Sequence, residues 1–461
     1  MRVYTKVVMD MVSNEIIEQE FYEYDGPVAQ CAVDSNTFLA DMKYVYGAMT
    51  DQISTLPALM NLFGDGSKVG KPINLIGIRG YVFGARMQPN WNIGFRKEGT
   101  TGVGSAGNQG LANSTVLLKY DYDPQLITGQ AENLSKGEAR AFMQAKALTS
   151  KYDLLDMVSH ANVLVAGADR GGQLGTVNAS AAGSITVPAL SPTSAAALYL
   201  RLGQPIDCGP VGGGALSLQG AVISAINYAT GVITHNGGTA TVGHAIYLSG
   251  EAPLVAGDFP LTCEGLISLI SDTGAIQGLN PATAGQQAWA SFAFDNANVQ
   301  ITSQGIQQLR QFTKNRGGVD VDTFIFPSAQ VNQLVAIATS TIRFDLNAAS
   351  ARGSATKRAI DLGFNVFEYA GLEIIEDKDA RPDRIFAFAV ETLKKFEALP
   401  LSLAEDEAGT WTRVSGVNGI ADAVQALLRW YFNVGIMRRS LAGVMRNCLV
   451  PTTFLTAPPT F

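Results

Sequence analysis

Histidines are the first side chains to consider for chemistry, and the sequence has only three, His160, His235 and His244. His235 and His244 stand close together in a predicted β hairpin, where their rings could face one another around a metal. Protein zinc sites also use cysteine or carboxylate ligands, which are missing nearby. We therefore expect two solvated histidines. We expect His160 at the C-terminus of a helix, where the helix dipole favours a surface imidazolium.

Cysteine chemistry is equally poorly supported. The four cysteines are Cys31, Cys208, Cys263 and Cys448, scattered without CxxC spacing. This distribution argues against a disulfide framework or a zinc site and predicts reduced, buried thiols. Asp258 and Glu264 flank Cys263, but the sequence places no histidine where it could activate that thiol. A buried structural cysteine is the prediction.

One cluster of carboxylates lies at Glu376, Asp377, Asp379 and Asp383. Such a loop could bind a cation, but the spacing of an EF-hand and its glycine are absent. A solvated loop is therefore favoured. Arg438, Arg439 and Arg446 could touch a phosphate backbone, although arginines of this kind more often pair with carboxylates across an interface.

A glycine pattern raises the possibility of nucleotide binding. Residues Gly102 to Gly107 match G-x-G-x-x-G. No buried strand precedes the pattern and no helix opens after it, so the context of a phosphate-binding loop is missing. Taken together, the residues predict no catalytic site, no cofactor and no bound metal.

One long helix organises the elements around these residues. Ser135 is a suitable N-cap and Glu138 has the spacing of a capping box. Apolar residues at three- and four-residue steps then mark one helix face through His160; they are Phe142, Ala145, Leu148, Tyr152, Leu155 and Val158. At 1.5 Å per residue the helix would be roughly 35–40 Å long. This length favours a flat molecule.

Composition limits the class of protein. The 461 residues are 47% hydrophobic but only 16% charged, with a net charge of −7. The charged share lies below the usual value of about 25%, so we expect much of the surface to be covered by protein. The acidic balance argues against a protein that coats nucleic acid. No apolar run approaches the ~20 residues that span a bilayer, and MRVYTKVVMDM lacks a signal-peptide core.

The segments before the helix are predicted to be extended. In residues 1–70, Arg2–Met9 and Gln19–Tyr24 indicate a two-stranded ribbon, and 40–62 is weakly helical up to Leu56-Pro57. Residues 71–130 indicate a hairpin with a glycine-rich tip at 99–110. Its return strand alternates Leu118, Tyr120 and Tyr122 with charged residues. A two-stranded hairpin is marginal alone, so we expect it to lie on a neighbouring molecule.

The segments after the helix change from β to α/β and back. Residues 171–258 predict a small β insert with strands at 221–227, 231–235 and 245–249. Residues 259–400 predict an α/β body with helices at 303–315 and after Ser328, and strands at 319–326, 372–375 and 385–390. In the first of these helices, Ile306, Leu309 and Phe312 share a face. Residues 401–461 return to β, with strict alternation from Leu428 to Ile436.

This order of parts resembles the major capsid proteins of tailed bacteriophages, which have the Hong Kong 97-like fold. Ile127-Thr128-Gly129-Gln130 resembles the entry to the family's spine helix, and Thr323 to Ser328 its strand, Pro-Ser and helix. Asp383 to Phe388 resembles a late strand of the axial domain, and Gly231-Val232-Ile233-Thr234 a β segment of some phage coats. Phe21 to Ala29 is similar to a leader found on phage structural proteins.

The resemblance implies an α+β chain with a Hong Kong 97-like phage capsid fold and a β-rich insertion. The expected parts are an N-terminal arm at 1–70, an extended loop at 71–130, a peripheral domain with the spine helix at 131–170, the insertion at 171–258, an axial domain at 259–400, and return strands with a C-terminal tail at 401–461. Such a chain assembles into hexamers and pentamers around double-stranded DNA.

The same resemblance implies partners and two alternatives. Expected partners are many copies of the chain, portal, scaffolding and decoration proteins, and packaged DNA in non-specific proximity, with no membrane. The expected location is the virion, after assembly in the host cytoplasm. A bacterial nanocompartment shell is one alternative, and a secreted β-rich adhesin or enzyme the other. Some family members cross-link a loop lysine to an asparagine; Lys97 and Lys119 lie in the loop here, but nothing in the sequence supports that bond.

Overall fold

The computed structural model of the chain describes fifteen ranges of residues. They are 2–9, 16–23, 62–65, 71–75, 78–90, 109–128, 139–169, 171–187, 199–227, 230–255, 261–341, 367–369, 372–405, 410–416 and 419–450. The chain divides into two compact units, which are described separately. The smaller unit takes residues 1–50, 124–150 and 405–427, and the larger takes 51–123, 151–404 and 428–461.

The smaller unit begins with an antiparallel hairpin of β1 (Arg2–Met9) and β2 (Ile16–Glu23). Arg2 pairs with Glu23, and Met9 with Ile16. The predicted ribbon is therefore present, with a second strand that begins three residues earlier than expected. The helical pattern at 40–61 lies outside the described residues.

Three antiparallel strands form the extended region of the larger unit: β4 (Lys71–Leu75), β5 (Ile78–Gln88) and β6 (Gly110–Leu117). The short β3 (Gly64–Asp65) precedes them. Strand β4 adds a third strand to the hairpin predicted from the sequence. Tyr81 and Phe83 are buried against Phe396 of the same chain, so the expectation that the hairpin lies on a neighbouring molecule is wrong for its described part. Residues 99–108 of the glycine-rich tip lie outside the described residues.

The segment predicted as the return strand is β7 (Lys119–Thr128), but that prediction is wrong in its pairing: β6 is the strand that returns along β5, and β7 belongs to another sheet. The polar face of β7 is also inverted, since Tyr120 and Tyr122 are 40% and 50% exposed, whereas Asp121 and Asp123 are half-buried. Both tyrosine rings meet Tyr431 edge-on, and the Tyr122 hydroxyl donates to the Tyr431 hydroxyl at 3.2 Å. The alternation was visible in the sequence, but the acidic side faces protein.

The long helix is α1 (Ala139–Ala166), with 28 residues. The predicted cap Ser135 and Glu138 lie outside the described residues. At the other end the helix runs six residues beyond the predicted end at His160, because the alanine- and leucine-bearing turn that follows is both helix-favouring and buried. The ring of Tyr199 lies against Gly167, just after the last turn, where no side chain would fit.

The buried face of α1 also differs from the predicted stripe. Tyr152, Leu155 and Val158 are only half-buried. The apolar residues that are buried in the described half of the helix are Met157, Ala161, Leu164, Val165 and Ala166. Which residues of α1 are buried depends on the elements packed around the helix, and the local spacing of apolar residues cannot predict those elements.

The insertion is one antiparallel sheet. Its strands are β8 (Gly175–Thr176), β9 (Ala179–Ala181), β10 (Ser184–Thr186), β11 (Pro205–Gly209), β12 (Leu218–Asn227), β13 (Val232–His235) and β14 (Ala245–Leu248). The order across the sheet is β8-β14-β11-β12-β13-β10-β9. Its buried isoleucines are Ile185, Ile206, Ile223, Ile233 and Ile246. The three strands predicted from the sequence coincide with β12, β13 and β14.

A six-stranded mixed sheet with helices forms the α/β body. The elements are α2 (Leu266–Leu269), β15 (Phe292–Val299), α3 (Ser303–Gly317), β16 (Thr323–Pro327), α4 (Ser328–Thr341), β17 (Phe367–Tyr369), β18 (Leu372–Asp377), β19 (Ile385–Phe388) and, from the C-terminal segment, β23 (Ala442–Cys448). The order is β15-β23-β19-β16-β18-β17, with parallel pairs β15/β23 and β16/β18.

Helix α3 shows which local signals were sufficient. Thr302 caps it through Gly305 N–H at 3.0 Å, and Gly318, at a φ of 78°, ends it in the left-handed conformation that glycine adopts readily. Phe312, placed on the buried face by its spacing, is 48% exposed and stacks on Phe292. Thr313 takes the buried position instead and donates to the Leu309 carbonyl at 2.7 Å.

The next strand begins later than predicted. Strand β16 starts at Thr323, and Val319, placed in the strand by the sequence, is 45% exposed. Residues 319–322 connect α3 to the sheet, and their alternation of valine and aspartate imitates a strand.

The last sheet contains β20 (Leu393–Leu403), β21 (Thr412–Gly416) and β22 (Gly419–Ile436). In the larger unit, β20 pairs with the second half of β22 and with β3, and β7 also pairs with β22. The predicted strand is present, and Leu428, Trp430, Phe432, Val434 and Ile436 are all buried. The alternation of burial ends at Tyr431, because Asn433 and Gly435 are buried as well. Strand β20 continues through residue 400, where the sequence predicted a boundary.

Candidate functional site

A cavity of about 900 Å³ lies between β7, α1 and the turn that follows β14. Apolar atoms come from residues such as Leu118, Met157, Leu164 and Phe432. The charged side chains that line it are Lys119, Asp121, Asp123, Asp153, Asp156, His160 and Glu251. Five carboxylates against one lysine and one histidine make it an acidic concavity.

An ion pair crosses this cavity from the helix to the insertion. His160 Nε2 lies 2.7 Å from Glu251 Oε1. Gly250 takes a φ of 86°, which glycine adopts without strain, and its N–H donates to Asp207 Oδ2 at 2.8 Å. Glu251 N–H donates to the Leu248 carbonyl at 3.1 Å. Hydrogen bonds within the insertion thus position the backbone of Glu251, and its side chain extends from there to His160.

The electrostatics of the cavity favour a protonated histidine. Burial opposes the charge of His160, but the hydrogen bond and charge of Glu251, together with Asp121, outweigh it and raise the pKa of His160. Burial raises the pKa of Asp121, and the His160 charge partly opposes that shift. Burial and the neighbouring Asp156 raise the pKa of Asp123.

The same cavity holds a thiol that is poorly suited to nucleophilic chemistry. Cys263 is 4% exposed, and burial raises its pKa far above the ordinary value, so the thiolate is scarce. The prediction of a buried structural cysteine is confirmed for this residue. Cys208 and Cys448 are likewise buried and unpaired, whereas Asp258 and Cys31 lie outside the described residues.

His160 itself contradicts the sequence-based prediction. It is not a surface residue at a helix terminus, because α1 continues to Ala166 and the imidazole is 30% exposed and engaged with Glu251. The helix dipole is therefore a minor influence compared with the direct carboxylate contact.

The prediction of two solvated histidines is wrong for His235, which is buried, whereas His244 is half-buried. His235 is 4% exposed and its Nδ1 accepts from Gly237 N–H at 3.1 Å. His244 Nδ1 lies 2.9 Å from Ser217 Oγ instead. Strands β13 and β14 are separated by β11 and β12 in the sheet, so the two histidines do not share a hairpin.

The acidic loop is buried, contrary to the prediction of a solvated loop. Asp377 and Asp379 are 1% and 6% exposed. Asn162 Nδ2 from α1 donates to Asp379 Oδ2 at 2.8 Å and to both oxygens of Asp377 at 3.2 and 3.3 Å. Burial, and then the Asp379 charge, raise the pKa of Asp377 to about 6. In the predicted solvated loop, water would hydrogen-bond these carboxylates. In the structure, the side-chain amide of Asn162 donates those hydrogen bonds instead.

The remaining carboxylates of this loop differ from each other. Asp383 is 1% exposed and lies between Arg381 and Arg384, with N–O distances of 3.2 and 3.6 Å. Glu376 is exposed. Within the part of the chain that the structure describes, no group of three or more histidine, cysteine, aspartate or glutamate side chains has a metal-binding arrangement.

The predicted arginines contact this chain's own backbone or carboxylates. Arg438 Nη2 donates to the Gly317 carbonyl at 2.8 Å, and Arg446 Nη2 to Asp272 Oδ1 at 3.0 Å. Arg439 is 1% exposed and donates only to backbone carbonyls at five recorded contacts, those of Leu269, Gly274, Trp289, Ser268 and Thr273. Both roles considered from the sequence, a phosphate contact and a carboxylate partner across an interface, therefore differ from the recorded contacts of Arg439, which are to backbone carbonyls of its own chain.

Three further polar residues of the larger unit were missed in the sequence. Asp207 is 2% exposed and receives Gly220 N–H, Gly250 N–H and the Ser249 hydroxyl. A charged residue between Ile206 and Cys208, inside an apolar strand, was a usable signal. Asn162 and Glu251 gave no local signal, since their partners lie far away in the chain. Gly102–Gly107 and Lys97 lie outside the described residues.

Comparison with known proteins gives a fold. No protein-family model and no curated protein sequence matches the chain. Among solved structures, the capsid asymmetric unit of cyanophage A-1(L) matches at a TM-score of 0.50 and 9% identity, over 87% of this chain and 97% of that chain. The chain therefore has the mixed α+β fold of a phage capsid subunit.

Two further structures give lower scores. The capsid of cyanophage P-SCSP1u has a TM-score of 0.40 at 8% identity, covering 87% of this chain and 90% of its own. The capsid of Myoviridae phage XM1 has a TM-score of 0.39 at 9% identity, covering 92% of this chain and 99% of its own.

Within the described residues, no helix combines the length and apolarity that crossing a membrane requires.

Proposed function

We propose that this chain is the major capsid protein of a tailed bacteriophage, with a Hong Kong 97-like fold, and that it builds an icosahedral shell from hexamers and pentamers. The observation that carries the proposal is the likeness to the cyanophage A-1(L) capsid subunit over nearly the whole length of both chains. The role is structural rather than enzymatic, since the histidine, thiol and carboxylates described above are used for packing and ion pairing.

The expected parts are kept with one change, since β23 of the C-terminal segment joins the sheet assigned to the axial domain. The N-terminal hairpin belongs to an arm, β4 to β6 to the extended loop, α1 to the spine helix of a peripheral domain, and the mixed sheet to the axial domain. Obligate interfaces bury thousands of Å². Such burial is consistent with a charged fraction of only 16%.

The charge of the chain supports an enclosing role. A net charge of −7 lets a shell confine packaged double-stranded DNA without gripping it. Portal, scaffolding and decoration proteins are the further partners of the proposed particle, which is located in the virion after assembly in the host cytoplasm.

The proposal is tested by expressing the full chain in bacteria and examining it by light scattering and negative-stain microscopy, alone and together with a candidate scaffolding protein from the same natural source. Closed shells with six- and five-fold units are expected. A chain that stays a compact monomer under both conditions contradicts the proposal.

The cargo separates this role from that of a nanocompartment. Particles isolated from the natural source are treated with nuclease, opened, and analysed for nucleic acid and protein. Protected double-stranded DNA is expected, whereas an enclosed enzyme without DNA favours the nanocompartment. Denaturing gels of the same particles should show single bands, since a ladder of multiples would indicate the covalent lysine–asparagine bond that we do not expect.

A further inference from the structure

The contact between α1 and the insertion depends on a titratable pair. His160 belongs to a regular part of the helix, and Glu251 to a turn that Asp207 holds from within the insertion sheet. The 2.7 Å contact therefore links the helix directly to the turn of the insertion.

We propose that the His160–Glu251 pair is a pH-operated latch, which fastens the Ser249–Glu251 turn of the insertion to the long helix while His160 is protonated and loosens it when the proton leaves. The proposal concerns this chain whether or not it forms a shell.

The surroundings of the pair explain why loss of one proton matters. Glu251 Oε2 is buried and accepts no hydrogen bond. Asp121, on β7, lines the same cavity, and its charge raises the pKa of His160 and also that of Cys263. The remaining titratable or charged groups that line the cavity are Lys119, Tyr120, Tyr122 and Asp123 on β7, Asp153 and Asp156 on α1, and Cys263.

Removal of the imidazolium charge leaves two carboxylates, Glu251 and Asp121, near each other in a cavity with an excess of negative charge. Like charges in a partly buried site repel strongly and favour separation or hydration. The insertion turn carries one of them and β7 the other, so opening of the turn relieves the repulsion.

The direction of the pH effect follows from the raised pKa of His160. A histidine whose pKa is higher in the closed state than in the open state contributes its full stabilisation below the ordinary value of about 6.5. That stabilisation is lost as the pH rises through the raised value. The latch is thus closed in mild acid and weakened in mild alkali.

Hydrogen exchange measured by mass spectrometry on the full chain tests the latch, at about pH 5.5 and about pH 8.5, which bracket the titration of a histidine. Exchange rates are corrected for the intrinsic dependence on pH. In the wild type, peptides covering Ser249–Glu251 should lose protection several-fold at the higher pH. In His160→Gln, protection should be equally low at both pH values.

Two variants keep the outcome interpretable. His244→Gln is the matched control, because His244 lies in the same insertion but contacts Ser217, and it should retain the wild-type response. Glu251→Gln removes the carboxylate without touching the helix and should abolish the response if His160→Gln does not fold. Unchanged protection in the wild type, or a pH response that survives in His160→Gln or Glu251→Gln, would overturn the proposal.

Discussion

Replacement of Arg439 is expected to be the most damaging single change at an arginine of the body. The guanidinium is buried, and its Nε, Nη1 and Nη2 donate to five carbonyls at 2.9 to 3.3 Å. Four of these carbonyls belong to residues 268–274 and one to Trp289. Burial lowers the pKa of Arg439 to about 10, so the group stays charged at neutral pH.

The magnitude follows from the groups left behind. Arg439→Met keeps most of the length but removes the donor from two buried contacts, those to the Leu269 and Trp289 carbonyls, each costing about 1–3 kcal/mol if nothing relaxes. The other three carbonyls are only partly buried, so water can replace the donor there and each costs less. Removal of the buried charge also removes its desolvation penalty, which offsets several kcal/mol. We expect a net loss of about 3–5 kcal/mol, a large part of an ordinary folding free energy of about 5–15 kcal/mol.

Urea unfolding of unassembled subunits, followed by fluorescence, measures this loss. Arg438→Met is the matched control, because the neighbouring side chain is exposed and makes one recorded carbonyl bond, to Gly317. It should cost less than about 1 kcal/mol, as surface bonds do. A loss below about 1 kcal/mol for Arg439→Met, or an equal loss for both variants, would refute the reasoning.

Three further changes probe other parts of the larger unit. Asp207→Ala removes the acceptor of two backbone N–H groups and should destabilise the insertion by about 2–4 kcal/mol, seen as faster hydrogen exchange across its sheet, with Asp207→Asn intermediate. Asp377 has its pKa raised to about 6, so its favourable contribution is complete below about pH 4 and is lost as the pH rises through 6. Asp377→Asn should therefore raise the melting temperature at about pH 8 but not at about pH 4, and the opposite order would contradict the assignment. Gly167→Ala places a methyl group on the ring of Tyr199 and should cost about 1–3 kcal/mol in unfolding experiments, with partial recovery in the double variant Gly167→Ala/Tyr199→Leu.

Local signals in the sequence predicted local structure well. The alternation from Leu428 to Ile436 placed a strand correctly because burial on one face of a sheet repeats every second residue. Thr302 and Gly318 show that helix α3 is bounded by its own capping residues.

Errors arose where a distant segment decides the environment. The spacing that put Phe312 on a buried face could not show that Thr313 would pack against the sheet. Asn162 and Asp377 lie 215 positions apart, so nothing near the acidic loop indicated that a side-chain amide would donate hydrogen bonds to its carboxylates in place of water. The surroundings of His160 and Arg439 were missed for the same reason.

The pairing of early and late segments has a consequence for synthesis of the chain. Asn433 Nδ2 donates to the Leu117 carbonyl, and the Tyr81 hydroxyl to the Glu397 carbonyl, each across 316 positions. At about 5–20 residues per second, a ribosome needs about 15–60 s to deliver the second partner after the first. During that interval the nascent chain displays Phe83, Val116 and Leu118, which are buried in the finished unit, without the strand that covers them. Trigger-factor-like or other holding chaperones therefore have their greatest opportunity to bind before translation ends.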